Sequence, residues 1–276
     1  MSVYHGATAI ITGAGSGIGL ALSKDLVARG AHVWLTDIES AGVKAAAETL
    51  GPTAHSSELD VRDADTFARI VQQVAGERNG LDFLFNNAGI GVSGEMQFLT
   101  VKHFDRIIDV NIRGVTNGVA AAYPLMVKQG HGHIVNTASA GGLLPMPLIT
   151  PYSMTKHAIV GLSTNLRLEA ENYGVKVSVL CPGLIETPLL DSEGPKDLPT
   201  TWYPNVRRYL TRLGSPPSPV DAFAEYALDR IEANRPVIVY PASTRLAVLL
   251  SHFIPSLVFR RVRQALRAEL LERPGG

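Results

Sequence analysis

Short apolar runs alternate along this chain with amphipathic segments of helical length, from residue 7 to about residue 240. The apolar runs at residues 9–11 and 83–85 do not alternate in polarity, which is typical of strands covered by helices on both faces. The pattern therefore predicts one α/β domain built on a doubly wound parallel sheet of about seven strands. The predicted strands span residues 7–12, 32–36, 53–59, 81–86, 132–138, 175–181 and 236–240.

Two segments do not follow this alternation. Residues 188–219 mix Pro, Gly, Asp and Ser with Trp202 and Tyr203, which favours a substrate lid over an ordinary surface excursion. After the last predicted strand, the spacing of apolar residues predicts a helical C-terminal extension, residues 241–276, that follows the main domain of residues 1–240.

Composition narrows the class of protein. The 276 residues are 46% hydrophobic and 18% charged, which excludes a disordered chain because enough apolar surface is available to offset the ordering entropy. Equal numbers of basic and acidic residues, 25 each, give no general attraction to nucleic acid or anionic lipid. One cysteine, Cys181, allows no intrachain disulfide, and no signal-peptide pattern is found, so a cytoplasmic location is predicted. The longest nearly apolar run, residues 246–259, is shorter than the ~20 residues of a membrane span.

A glycine-rich turn follows the first predicted strand, with the sequence Thr-Gly-Ala-Gly-Ser-Gly-Ile-Gly at residues 12–19. Glycines let the backbone approach a pyrophosphate, whose charge then meets free N–H groups at the positive end of the next helix. Asp37 ends the second strand about 20 residues downstream, where a carboxylate can bind both hydroxyls of an adenosine ribose. Because neither Ser16 nor Ile38 supplies a cation for a 2′-phosphate, NAD is favoured over NADP. The alternative for Asp37 alone is a cap for a helix predicted at residues 39–50.

A second group of polar residues is suited to proton transfer. Tyr152 and Lys156 lie four residues apart in a helix predicted over residues 150–173, so their side chains share one face. An ammonium group beside a phenol is expected to lower the pKa of the phenol toward neutrality, which would let Tyr152 exchange a proton with an alcohol or ketone. Ser139 follows the fifth strand at the ligand-binding edge of the sheet, and Asn111 falls on the apolar face of another predicted helix. Taken alone, either of these two residues could be a hydrogen-bonded core residue.

Together these residues resemble the short-chain dehydrogenase/reductase family, and the resemblance covers nearly the whole chain from Gly6 to about Tyr240. Residues 12–19 are similar to the cofactor turn of that family. Asn-Asn-Ala-Gly at 86–89 is similar to its motif after the fourth strand, and Tyr-Ser-Met-Thr-Lys at 152–156 to its active-site motif. The resemblance implies a Rossmann-type fold and an oxidoreductase that interconverts a secondary alcohol and a ketone by hydride transfer with NAD or, less favoured here, NADP.

The resemblance also implies roles for individual residues. Asn111, Ser139, Tyr152 and Lys156 would form a catalytic tetrad, with Tyr152 as general acid/base and Ser139 holding the substrate oxygen. Lys156 would also bind the nicotinamide ribose, and Asn111 would hold a water in a proton relay. The implied dinucleotide-binding set is Gly13, Ser16, Gly17, Ile18, Gly19, Asp37, Asp60, Val61, Asn87, Ala88, Gly89, Tyr152, Lys156, Pro182, Gly183, Ile185 and Thr187.

Oligomer formation is implied by the same resemblance. Many family members form dimers through the two helices that carry Asn111 and Tyr152, so we expect a homodimer of this type. A homotetramer stays open, because the chain departs from the family pattern at residues 241–276.

The positions expected to face the substrate carry almost no charge. We therefore predict a hydrophobic, uncharged small-molecule alcohol or ketone as the substrate. An acyl-thioester ketoreductase and a protein that senses the dinucleotide without turnover are the alternatives. His131 and His133 have no nearby carboxylate or HExxH pattern, so no metal site is predicted. The expected substrate-facing positions are residues 91–94, residues 140–150, Leu189, Leu190, Trp202 and Tyr203.

The extension is the basic part of an otherwise neutral chain. From residue 245 onward it has six arginines against two glutamates, a local charge of +4. Leu246, Leu249, Leu250 and Phe253 recur at helical spacing, so the extension could lie on an anionic membrane surface or cover the active site. Packing on the body of the protein or on a partner subunit is the simpler interpretation. No nucleic-acid partner is expected.

Overall fold

The computed structural model describes residues 2–192, 194–214 and 216–273. Met1 of the predicted main domain, Glu193 and Ser215 of the predicted lid, and residues 274–276 of the predicted extension lie outside the described residues. Its strands are β1 (Thr8–Thr12), β2 (His32–Asp37), β3 (Ala54–Glu58), β4 (Phe83–Asn86), β5 (Gly132–Thr137), β6 (Val175–Pro182) and β7 (Val237–Tyr240). In the described residues they form one parallel sheet in the order β3-β2-β1-β4-β5-β6-β7. The predicted doubly wound sheet is confirmed, with strand ends within two residues of the predicted ones.

Helices connect the strands and continue beyond the last one. The helix predicted at residues 39–50 begins at Ser40, and the one predicted at 150–173 ends at Ala170 and continues as a 3-10 turn, Glu171–Tyr173. The α-helices of the described chain are α1 (Gly17–Ala28), α2 (Ser40–Leu50), α3 (Ala64–Arg78), α4 (Val101–Ile108), α5 (Gly114–Gln129), α6 (Thr150–Ala170), α7 (Val206–Leu213), α8 (Val220–Glu232), α9 (Ala242–Phe253) and α10 (Pro255–Leu270).

Alternate residues of the central strand β1 serve the two faces of the sheet. Ala9 and Ile11 are fully buried in a core that includes Leu22 of α1 and Phe223 of α8. Ile10 points to the other face, into a core shared with α3, α5 and α6. Because both faces of β1 are covered by helices, the whole strand is buried, which explains the non-alternating apolar run at residues 9–11.

The carboxyl ends of the strands lie along one edge of the sheet. Gly13 follows β1, Asn87 follows β4, Ser139 lies just beyond β5, and Gly183 follows β6. The chain winds outward in opposite directions from β1 and β4, which is the arrangement that opens a crevice at this edge. Residues far apart in sequence are thereby brought to one site.

The predicted lid and the extension pack on each other through α7 and α10. Tyr209 of α7 is fully buried in a cluster with Ala265 of α10. Glu269 of α10 is 0% exposed and accepts hydrogen bonds from the guanidinium groups of Arg208, at 2.7 Å, and Arg212, at 2.9 Å. A buried carboxylate held by two cations joins these helices through residues that are more than fifty positions apart in sequence.

The last two helices do not form a straight segment. Among the described residues, no single helix is both long and apolar enough to cross a bilayer. α9 and α10 meet that criterion of length and composition only as a pair, and they are bent by 120° at the break between them.

Candidate active site

The turn after β1 depends on contacts that a side chain would prevent. At Gly13, where φ is 65°, a Cβ atom would lie 2.8 Å from the Cα atom of Ala88. At Gly19 a Cβ atom would collide with the carbonyl oxygen of Gly13, so the first turn of α1 packs directly on the loop. Ser16, the N-cap of α1, makes no side-chain capping bond. The result is a backbone cradle at the positive end of a helix, the geometry that binds a phosphate group.

Thr12 and Asn87 connect this turn to the end of β4. Oγ1 of Thr12 accepts hydrogen bonds from the backbone N–H groups of Asn87 and Ala88, both at 3.0 Å. Nδ2 of Asn87 donates to the carbonyl oxygens of Thr12, at 3.1 Å, and Gly13, at 3.3 Å. Thr12, the first residue of the glycine-turn motif, therefore connects the turn to the end of β4, a role that its position alone did not indicate.

A polar cavity of about 600 Å³ extends from this turn along the edge of the sheet. Near the end of β2, Oδ2 of Asp37 accepts a hydrogen bond from the N–H of Gly15 at 3.1 Å. Asp60 forms an ion pair with Arg62, which lowers the pKa of the Asp60 carboxyl group. The predicted dinucleotide-binding residues that line this cavity are Gly13, Ser16, Gly17, Ile18, Asp37, Asp60, Val61, Asn87, Ala88, Gly89, Tyr152, Lys156, Pro182 and Thr187.

These features fit the chemistry of a nicotinamide dinucleotide. The close contact of Gly13 with the backbone of Ala88 shapes the turn beside which a pyrophosphate would lie, and Asp37 offers a carboxylate to ribose hydroxyls. The cavity continues from Asp37 to Tyr152 and Lys156 across the carboxyl ends of four strands. Gly19 does not line the cavity; its contribution is the close packing of α1 on the turn.

Three of the four predicted catalytic residues converge beyond β5. Nζ of Lys156 donates to the carbonyl oxygen of Thr137 at 2.8 Å and lies 5.4 Å from the centre of the Tyr152 ring. The phenol of Tyr152 is hydrogen-bonded to the hydroxyl of Ser139. Oγ of Ser139 accepts a hydrogen bond from the N–H of Gly141 at 3.1 Å, which holds the serine at the start of a 3-10 turn.

Asn111 lies at the floor of this group, in a π-helical turn, Asp109–Arg113, between α4 and α5. Its Oδ1 accepts from the N–H of Ile90 at 2.9 Å, and its Nδ2 donates to the carbonyl oxygen of Ile90 at 3.0 Å. A Cβ atom on Gly89 would lie 3.2 Å from Oδ1 of Asn111 and 3.5 Å from Nζ of Lys156, so these two side chains flank the same glycine. Asn111 therefore adjoins Lys156 without lining either of the cavities described here.

Burial controls the titration of the group. Desolvation raises the pKa of Tyr152, and only the hydrogen bond with Ser139 opposes it. Desolvation also lowers the pKa of Lys156 to about 8. The prediction that the pKa of Tyr152 moves toward neutrality is therefore wrong for the protein alone, because burial disfavours the phenolate. The buried phenol keeps its proton.

An apolar cavity of about 410 Å³ shares Tyr152 with the polar cavity. Ser139, Gly183 and Ile185 line this second cavity rather than the first. Arg261 of α10 is the one charged side chain among the described residues that line it. The remaining wall is almost entirely apolar, which suits a hydrophobic ligand with one reactive oxygen near Ser139 and Tyr152.

The predicted substrate-facing positions are correct in part. Leu144, Met146, Ile149, Leu189 and Leu190 line the apolar cavity. Trp202 does not, because it packs against the buried cluster between α7 and α10. Tyr203 is also absent from the lining, and its hydroxyl accepts a hydrogen bond from the N–H of Thr200 at 3.1 Å.

The sequence analysis assigned no cavity residues within the extension. Leu246, Ala247 and Leu250 of α9, with Arg261 of α10, line the apolar cavity. Helical spacing of the leucines predicted an amphipathic helix there, and covering the active site was one interpretation of it. Which helix face would turn inward depended on packing with α7 and β7 that no local pattern encodes.

Comparison with known proteins identifies relatives of this chain. A family model for short chain dehydrogenases matches residues 7–197. Levodione reductase of Leifsonia aquatica is 36% identical over 189 residues, which cover 66% of this chain and 71% of that protein. D-beta-hydroxybutyrate dehydrogenase of Rhizobium meliloti (strain 1021) is 36% identical over 194 residues, which cover 68% of this chain and 75% of that protein.

Solved structures give the same answer for the fold. A short chain dehydrogenase/reductase from Burkholderia phymatum in complex with NAD matches with a TM-score of 0.83 and 28% identity, covering 93% of this chain and 96% of that one. A 3-ketoacyl-(acyl-carrier-protein) reductase from Brucella melitensis complexed with NADH matches with a TM-score of 0.75 and 28% identity, covering 86% and 97%. The family match spans the glycine turn, Ser139, Tyr152 and Lys156. The chain therefore belongs to the short-chain dehydrogenase/reductase family of oxidoreductases.

Proposed function

We propose that this protein interconverts a secondary alcohol and a ketone on a hydrophobic small molecule, using NAD(H) and Tyr152 as the general acid/base. The observation that carries the proposal is the position of Tyr152, which lines both the polar and the apolar cavity. A substrate in the apolar cavity and a dinucleotide in the polar cavity would meet at its phenol. The hydrogen bond with Ser139 and the proximity of Lys156 support this role.

The site residues would have separate roles in binding the dinucleotide and the substrate. The glycine turn would hold the pyrophosphate, Asp37 the adenosine ribose, and Lys156 the nicotinamide ribose. The bound dinucleotide supplies or accepts a hydride at the substrate carbon. Ser139 donates a hydrogen bond to the substrate oxygen, and Tyr152 transfers its phenolic proton to that oxygen during reduction.

Lys156 and Asn111 would assist the proton transfer at Tyr152. Loss of the proton from Tyr152 leaves a phenolate, and a cationic Lys156, whose Nζ lies 5.4 Å from the centre of the ring, stabilises that charge. In the direction of oxidation, the phenolate recovers the proton from the alcohol. Asn111, fixed on the backbone of Ile90, would hold a water that relays the proton.

NAD is the proposed cofactor, with NADP disfavoured. A 2′-phosphate would approach the Asp37 carboxylate, and the next residue, Ile38, carries no charge to offset that repulsion. The matched structures from Burkholderia phymatum and Brucella melitensis are described as complexes with NAD and NADH, which supports the same choice.

An acyl-thioester substrate is the second candidate. The relative from Brucella melitensis is a 3-ketoacyl-(acyl-carrier-protein) reductase, and Arg261 offers a cation at the wall of the apolar cavity. The apolar character of the rest of the lining favours a smaller, uncharged ketone. The predicted homodimer, its cytoplasmic location and the lid at residues 188–219 remain part of this proposal.

The test is nicotinamide absorbance with the purified protein, NAD or NADP in each direction, and a panel of hydrophobic ketones, secondary alcohols and 3-ketoacyl thioesters. We expect turnover with NAD(H), and we expect Tyr152→Phe to lower kcat by about a thousandfold while NADH fluorescence titration still detects binding. Equal rates for Tyr152→Phe and the wild type would overturn the assignment of Tyr152. Tight NADH binding without turnover across the panel would instead support a dinucleotide sensor.

A further inference from the structure

The extension presents a run of large apolar side chains to solvent. Phe253 is 77% exposed, Leu246 56% and Leu249 55%, and their spacing puts them on one side of α9. Ile254, Leu257 and Phe259 continue the run into α10, and each is also exposed. Isolated exposed leucines are ordinary, but six large exposed apolar side chains within residues 246–259, on two helices bent by 120°, mark an interaction surface. We call Leu246, Leu249, Phe253, Ile254, Leu257 and Phe259 the apolar stripe.

Only positive charge surrounds the apolar stripe along the chain. No aspartate or glutamate occurs between Glu232 and Glu269, and Glu269 is buried. Arg245, Arg260 and Arg263 fall within this acid-free segment and are exposed. An exposed apolar segment whose charged residues are all arginines is complementary to an anionic, apolar-cored partner.

The same two helices form part of the wall of the apolar cavity. Ala247 and Leu250 of α9 line that cavity, and Leu250 lies beside Leu246 and Phe253 at helical spacing, at the edge of the stripe. Leu246 belongs to both surfaces, since it lines the cavity and is more than half exposed. The stripe is therefore continuous with the entrance of the cavity that contains Tyr152.

We propose that the apolar stripe docks this protein on the surface of an anionic lipid bilayer, with its apolar substrate passing from the bilayer into the cavity. α9 and the start of α10 would lie in the plane of the interface, with their apolar side chains among the acyl chains and their arginines at the lipid phosphates. The substrate part of this inference rests on the proposed function, whereas the docking part does not.

A second copy of the chain is a less suitable occupant of the stripe. A twofold contact through the stripe would place the exposed Arg245, Arg260 and Arg263 of both copies at or beside one interface, and this segment offers no exposed carboxylate to neutralise them. A bilayer containing anionic lipid neutralises those charges and buries the same apolar area.

The test is co-sedimentation of the full-length protein with vesicles of phosphatidylcholine, alone or mixed with phosphatidylglycerol. We expect binding to the mixed vesicles that falls as salt is added. Phe253→Asp should lower the partition coefficient about tenfold or more, because it removes an inserted ring and adds a negative charge. Arg260→Gln combined with Arg263→Gln should lower it to a similar extent on the mixed vesicles.

Val101→Asp is the matched control. Val101 is 73% exposed on α4, so the same change of charge at a distant surface should leave vesicle binding within about twofold of the wild type. Indistinguishable binding of Phe253→Asp and wild type would overturn the docking proposal. The proposal also fails if the wild type binds pure phosphatidylcholine equally well, or if sedimentation velocity shows that Phe253→Asp splits an oligomer without changing vesicle binding.

A comparison of two ketones separates this inference from the proposed function. Phe253→Asp should reduce a long-chain ketone carried in mixed vesicles at least about fivefold more slowly than the wild type, and a water-soluble ketone at the same rate. Equal rates of the two proteins on the vesicle-borne ketone would overturn delivery from the bilayer. Vesicle binding without reduction of any ketone would refute the proposed function and leave the docking surface intact.

Discussion

The two cavities that meet at Tyr152 are built in different ways. The polar cavity is formed largely by residues at the ends of strands, such as Gly13, Asp37 and Asn87, with further lining from the predicted lid. The apolar cavity is closed by α7, α9 and α10, which reach it through long-range contacts such as that between Arg208 and Glu269. A strand end is positioned by the sheet itself, whereas a wall of helices depends on which helix faces pack together. The two cavities should therefore respond separately to substitution.

Substitution of Glu269 should produce the largest difference between the effects on the two cavities. Glu269→Ala leaves the guanidinium groups of Arg208 and Arg212 without their buried partner and removes the link between α7 and α10. We expect the free energy of unfolding to fall by ~2–3 kcal/mol, at the low end for a broken buried ion pair because both arginines also reach water. Urea unfolding measures that loss, and kinetics should show a raised KM for the hydrophobic substrate with the Kd of NADH unchanged.

Glu272→Ala is the matched control for that experiment. Glu272 contacts the same two arginines, at 3.7 and 3.4 Å, but from an exposed position. Its loss should cost less than ~1 kcal/mol and leave KM unchanged. If Glu269→Ala weakened NADH binding as much as it raised KM, the two cavities would not be independent.

Gly19→Ala should instead weaken NADH binding in the polar cavity. The added methyl group would meet the carbonyl oxygen of Gly13, so α1 must shift away from the turn. We expect a loss of ~2 kcal/mol in stability and a rise of about tenfold or more in the Kd of NADH. Fluorescence titration of NADH and urea unfolding measure the two effects.

Gly42→Ala is the control that tests whether the effects of Gly19→Ala come from placing alanine in a helix or from the contact with Gly13. A Cβ atom at Gly42 has open space around it in α2, so this variant should gain ~0.5–1 kcal/mol from helix propensity and bind NADH normally. Normal NADH affinity in Gly19→Ala would show that the packing of α1 on the turn does not shape the cradle.

The comparison also explains what the sequence could and could not predict. Asp37 and Ser139 were predictable because each ends a strand, and strand ends share one edge of a parallel sheet. Trp202 does not line the apolar cavity as predicted, because its partly buried ring packs against the cluster between α7 and α10. Arg261 escaped notice because its helix reaches the cavity only through tertiary contacts.

The protonation state of Tyr152 escaped prediction for a related reason. The spacing of Tyr152 and Lys156 correctly placed them close together, at 5.4 Å from amine to ring centre. The effect of desolvation depends on everything that closes over the pair, including residues from β5 and β6. Burial therefore reversed the expected direction of the tyrosine pKa shift.

A smaller effect on the free energy of unfolding is expected from a change of pH, because Lys156 in the polar cavity titrates. The pKa of Lys156 is lowered by burial to about 8, whereas in the unfolded chain it returns to its ordinary value near 10.4. Between these values the unfolded chain holds a proton that the folded chain has released, so stability gains as pH rises. Between pH ~7.5 and ~9.5 the free energy of unfolding of the wild type should rise by roughly 1–2 kcal/mol relative to Lys156→Met. Urea unfolding at the two values checks this, and an equal response of both proteins would contradict the lowered pKa.

The smallest effect separates two neighbouring leucines of α9. Leu250 lines the apolar cavity, whereas Leu249 is 55% exposed and belongs to the apolar stripe. Leu250→Ser should raise KM for a hydrophobic water-soluble ketone about fivefold, with kcat and the Kd of NADH unchanged, because the lost apolar contact serves substrate and transition state alike. Leu249→Ser should leave that KM unchanged and weaken binding to anionic vesicles. If both variants changed the same property, α9 would not have one face toward the cavity and another toward a bilayer.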